Sequence, residues 1–148
     1  MNNVFKKSLP GFTLIELLVV VIILGIIVAA AVALINQSLS ANRDKQRQAD
    51  LATIGSSLEL RLEQKGSLPD FEILKSDDAR WSDGTFIERE ILPKVPKDPE
   101  DPNRFYIYKR IDSSFELWAH LDSPPKEGDV HFGSGPEDTN YVVTPKAE

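Results

Sequence analysis

Apolar and polar positions are spread very unevenly along the chain. From Leu17 to Ile35 the residues read LLVVVIILGIIVAAAVALI, nineteen positions of which only Gly25 lies outside the hydrophobic set. At 1.5 Å per residue such a run makes a helix of about 28 Å, close to the ~30 Å hydrocarbon thickness of a bilayer. A lone strand in lipid leaves its backbone groups unpaired, so the run predicts a membrane helix despite its many β-branched residues. Residues 36–50 are polar and contain no helix breaker, which predicts a stalk solvated in a monomer. Leu51, Ile54, Leu58 and Leu62 then recur at helical spacing and form one apolar stripe that must pack on something. Gly66 and Pro69 are the stop signal.

The remainder reads differently. Between Leu68 and Asn103 the chain is loop-rich, and prolines at 93, 96, 99 and 102 forbid regular helix and disfavour a central strand. Period-two alternation follows in RFYIYKRI (104–111) and FELWAHL (115–121), separated by Asp112-Ser113-Ser114, which suits a tight turn. The pair predicts an antiparallel hairpin, and Tyr141-Val142-Val143-Thr144 a third strand. The fold class expected is therefore α+β: one long amino-terminal helix whose second half packs on a small antiparallel sheet of about three strands.

Composition alone hides this organisation. The 148 residues carry a net charge of −6, a pI near 5.0 and a mean hydropathy of −0.23, as an ordinary acidic soluble domain would. The acidic balance argues against nucleic acid as a partner, and the absence of cysteine excludes disulfides, thiolate metal sites and cysteine nucleophiles. Charge is the uneven quantity: Lys6 and Lys7 sit in a leader without acids, Glu16 is the only charged residue from 12 to 35, and residues 36–148 hold fifteen Lys and Arg against twenty-two Asp and Glu. A basic leader before an apolar run marks a targeting segment. A conventional secretory signal would be shorter, about 7–15 apolar residues, with cleavage after small residues such as Ala29, Ala31 and Ala33. That alternative makes the protein an anchored or secreted extracytoplasmic binding module, with a start near Leu34 if cleaved. Glu16 itself is costly in lipid and calls for a positive partner or an interfacial position.

The stretch Gly11-Phe12-Thr13-Leu14-Ile15-Glu16, after a short basic leader and before an unbroken apolar helix, resembles the amino-terminal segment of type IV pilins and of the pseudopilins of type II secretion. The resemblance implies cleavage by a prepilin peptidase between Gly11 and Phe12, N-methylation of Phe12, and a pairing of Glu16 with the amino terminus of a neighbouring subunit in a helical filament. It divides the chain into a leader (1–11), a membrane and filament-core helix (12–35), a helix continuing into the head (36–66) and a head (67–148). It implies self-assembly from the cytoplasmic membrane with the head outside the cytoplasm, and an assembly ATPase and a platform protein as partners. Charge alone does not set that topology, because Arg43, Lys45 and Arg47 follow the span as Lys6 and Lys7 precede it. Ala33 stands where family members often carry a kinking proline. The lack of cysteine departs from pilins with a carboxy-terminal disulfide loop and favours a pseudopilin.

No enzymatic constellation accompanies these features. His120 and His131 have no nucleophile or paired ligand at useful spacing, Gly133-Ser134-Gly135 lacks a strand–turn–helix setting, and Asn36-Gln37-Ser38 is a sequon beside the span. The loop from Asp122 to Asn140 resembles in location the loop in which major pseudopilins bind calcium, and it offers Asp122, Glu127, Asp129 and Asp138 as oxygen ligands. No cofactor follows from the sequence outright, and calcium is the one candidate.

Overall fold

The structure, a computed structural model, describes residues 11–145 apart from Gly128, Val130, Phe132 and Ser134. Helix α1 (Leu14–Lys65) is a single element of 52 residues. It ends as its sequence directs: Gly66 takes a positive φ of 72°, and its N–H donates to the carbonyl of Leu62 at 2.8 Å, a left-handed cap that a residue with a Cβ adopts only with strain.

The chain divides into two units, Met1–Ser38 and Leu39–Glu148. In the first, the apolar residues of α1 from Leu14 to Ile35 are all exposed, and this stretch is long and apolar enough to cross a membrane.

In the second unit, four strands follow α1: β1 (Ile73–Lys75), β2 (Ile107–Ile111), β3 (Ser114–Ala119) and β4 (Tyr141–Val143). They form one antiparallel sheet in the order β1-β2-β3-β4, with Leu74 opposite Tyr108, Tyr108 opposite Leu117, and Leu117 opposite Val143. The fold is the α+β arrangement expected, with a fourth strand added at the β1 edge. β2 and β3 meet through Asp112-Ser113, and Asp112 adopts the positive φ of 52° that a two-residue hairpin turn requires.

The stripe on α1 meets the sheet through Leu51, Ile54 and Leu58, all fully buried. Gly55 faces the sheet here, where a Cβ would stand 3.7 Å from both Leu117 and Val143 side chains, an ordinary van der Waals contact. Leu62, expected in the same stripe, is exposed instead. At that turn the helix makes its tertiary contact through Arg61, which bonds Glu88 and the carbonyl of Ser67. Alternation along β2 and β3 gives the sheet two buried faces. Tyr108, Phe115, Leu117 and Ala119 join the helix-side core together with Tyr106, Trp81 and Phe86, while Ile107, Trp118 and Val142 pack with Phe105 in a separate cluster. The second cluster is covered by the loop before β4, where Gly133 and Gly135 lie against the Trp118 ring. A Cβ on Gly135 would fall 2.2 Å from Trp118 Cε3, so only glycine fits there. The proline-rich segment lacks helix and strand as expected and is laid over the core, with Val95 buried and the carbonyl of Pro96 accepting from Trp81 Nε1 at 2.8 Å.

Candidate processing and assembly site

Gly11, Phe12 and Thr13 are non-helical, and α1 starts directly after them. Thr13 is the N-cap: its carbonyl accepts the first intrahelical bond, from Leu17 N–H at 3.2 Å, and its Oγ1 accepts from Glu16 N–H at 3.3 Å. Glu16 reaches back, and its Oε2 accepts from both the Thr13 N–H and the Thr13 hydroxyl at 2.8 Å. The two residues form a reciprocal capping box, which satisfies two of the orphan donors at the helix start. This T-x-x-E pattern is legible in the sequence, and Thr13 is the residue that reading it for charge alone overlooks. Both members are solvent-facing within this unit, and Phe12 is 87% exposed. Residues 1–10 of the leader, including Lys6 and Lys7, lie outside the described residues.

Residues 10–32 match the family model described as the prokaryotic N-terminal methylation motif. The chain carries a prepilin-type amino-terminal signal. No curated protein and no solved structure gives a significant match to it. The pilin-like assignment thus rests on the signal and on the exposed apolar helix that follows it.

Beyond the signal, most of residues 36–50 are exposed, as expected of a solvated stalk, but the structure corrects that expectation at two positions. Arg47 is fully buried and Asp44 nearly so. Arg47 grips Asp98 through two bonds, Nε to Oδ2 at 2.8 Å and Nη2 to Oδ1 at 3.1 Å, and also donates to Glu100 at 2.6 Å and Asp44 at 3.0 Å. Asp44 in turn accepts from the backbone N–H groups of Asp122 and Ser123, both at 2.8 Å. Burial alone would disfavour the guanidinium charge, but the surrounding carboxylates outweigh it and raise the Arg47 pKa. These charges, which look solvated in sequence, are spent tying α1 to the proline-rich segment and to the exit of β3. Apart from the Arg47–Asp44 bond itself, their partners lie more than fifty positions away, so no local spacing reveals them.

The structure places three of the acids named for calcium on partners within the chain. Asp122 is turned inward: its Oδ1 accepts from Arg104 at 2.8 Å and its Oδ2 from Arg43 at 3.1 Å. Burial pushes its carboxyl up, but Arg104, Arg43 and Arg47 together hold it below the usual carboxylate range. Asp129 accepts from the N–H of His131, and Asp138 sits in a left-handed turn with its carbonyl bonded to His120 Nδ1. Among the described residues no three His, Asp or Glu side chains group as metal ligands, Glu127 included. His131 donates from Nδ1 to the carbonyl of Val142 at 2.9 Å and lies against Tyr141, so both histidines fasten the loop. Ser134, the middle of the Gly-Ser-Gly stretch, lies outside the described residues.

Proposed function

We propose that the chain is a structural, non-catalytic subunit of a type IV pilus-like or type II secretion pseudopilus filament. A prepilin peptidase cuts it between Gly11 and Phe12 and methylates Phe12, and an assembly ATPase and a platform protein build it into the filament from the cytoplasmic membrane, head outside the cytoplasm. The observation that carries this reading is the prepilin-type signal leading into an exposed apolar stretch of helix in which, over residues 12–35, the one ionisable side chain is Glu16. The same apolar surface serves twice, facing lipid before assembly and neighbouring subunits after it.

The capping box supports a definite role for Glu16. One carboxylate oxygen, Oε2, is committed to Thr13, while Oε1 has no hydrogen-bond partner among the described residues. Oε1 is therefore open to the methylated Phe12 amine of a second copy, a charge-assisted bond within an apolar filament core. Removing one member of a buried ion pair costs about 3–5 kcal/mol, because the other charge stays behind uncompensated. Glu16→Ala is expected still to be cleaved, since Thr13 Oγ1 keeps its cap on the N–H of residue 16, but to give no filaments by electron microscopy. Filaments of normal number and length from that variant would remove Glu16 from the assembly site.

A further inference from the structure

We propose that Thr13 is a positioning residue for processing: its capping box with Glu16 fixes the helix start at Leu14 and so keeps the Gly11–Phe12 peptide bond outside the helix. The inference rests on the cleavage reading above and assigns it a determinant in the chain. Hydrolysis adds water across the Gly11–Phe12 amide, leaving a carboxylate on Gly11 and the new amine on Phe12. The attacked carbonyl must be free to polarise and the backbone extended enough to enter a peptidase cleft.

In a helix carried back by one turn, both conditions fail. The Gly11 carbonyl would accept from Ile15 N–H and the Phe12 carbonyl from Glu16 N–H, closing the bond into the i to i+4 ladder. Little in the chain otherwise prevents this. Proline is tolerated in a helix's first turn, which leaves Pro10 compatible with an earlier start, and Gly11 weakens a helix without barring it. The box competes directly: it occupies Glu16 N–H with Thr13 Oγ1 at 3.3 Å and holds Thr13 N–H on Glu16 Oε2 at 2.8 Å. Gly11, Phe12 and Thr13 are accordingly non-helical, and Phe12 stands exposed next to the bond to be cut.

The test is the initial rate of leader removal from the full chain in membranes containing a prepilin peptidase, for the wild type, Thr13→Ser, Thr13→Asn and Thr13→Val. Ser and Asn cap helices well but differ in shape from Thr, whereas Val matches its shape and cannot cap. Loss of the cap shifts the helix-start equilibrium about fivefold. If rates follow capping, Thr13→Ser and Thr13→Asn cleave like the wild type and Thr13→Val falls by up to that factor. Rates that follow shape, with Thr13→Val normal and Thr13→Asn slow, overturn the inference in favour of side-chain recognition by the peptidase, and four equal rates overturn it outright. A wild-type chain left uncut by the peptidase instead refutes the cleavage reading on which the inference stands.

Discussion

Arg47→Met is the substitution whose consequence follows most directly from the geometry of the head. The side chain is fully buried, and so is the carboxylate of Asp98 that it holds in a two-bond fork at 2.8 and 3.1 Å. Met fills a similar volume without the charge, so the main effect is to leave Asp98 buried with a single remaining donor to Oδ1, the N–H of Glu100 at 2.8 Å. Breaking a buried pair in this way costs about 3–5 kcal/mol, a large share of the roughly 5–15 kcal/mol by which domains are stable. Urea unfolding of the full chain in detergent, followed by tryptophan fluorescence, measures it. Trp81 is a local reporter because its indole bonds Pro96 on the segment that Arg47 anchors. The Asp98→Asn variant completes a double-mutant cycle, in which Asn keeps an acceptor for the Glu100 N–H. Contacting charged residues are expected to couple by about 1–3 kcal/mol, so the double variant should be more stable than the sum of the single losses predicts. A loss below about 1 kcal/mol for Arg47→Met, or a coupling under about 0.5 kcal/mol, would refute the idea that this knot holds the helix to the head.

Four further outcomes follow from the same structure. Gly135→Ala is expected to destabilise the head by about 1–3 kcal/mol and alter the near-UV circular dichroism of Trp118, because the new methyl overlaps the indole ring; an unchanged spectrum and midpoint would show that the loop does not rest there. Acid should unfold the head: Asp122 has a depressed folded-state pKa, so its contribution is complete above the ordinary aspartate value of about 3.9 and is lost as pH falls through the lower folded value. Asp50 has the opposite sign, since burial raises its pKa more than the 2.8 Å bond from Tyr106 Oη lowers it. Its ionisation therefore costs stability, and Asp50→Asn should raise the urea midpoint at pH 7 and lose that advantage in acid, whereas a lowered midpoint at pH 7 contradicts the sign. Calcium or a chelator should leave the melting temperature unchanged, and a rise with calcium would restore the acidic loop as a site despite the arginines on Asp122.

What was legible in the sequence was local. The apolar run, the Gly11–Glu16 signal and the Gly66 stop are each readable within a few positions, and the β2–β3 hairpin follows from alternation around a short polar turn. β1 was not legible, because three residues between loops carry no period and the strand exists only through its pairing with β2. The burial of Asp44 and Arg47 was equally hidden, since a charge reads as solvated until its partners at 98, 100 and 122 are brought beside it. Glu16 was legible as a lone charge needing a partner. Thr13, three positions earlier in the same motif, supplies part of the answer from within the chain.

The central claim is that the chain is made as a prepilin-type precursor, and the mass of its mature amino terminus tests this most directly. Purified from membranes of cells with a prepilin peptidase, the protein should begin at Phe12 and carry one additional methyl group on its amine. An intact Met1 terminus, or a start near Leu34, would contradict the account and return the segment to an ordinary anchor or secretory signal.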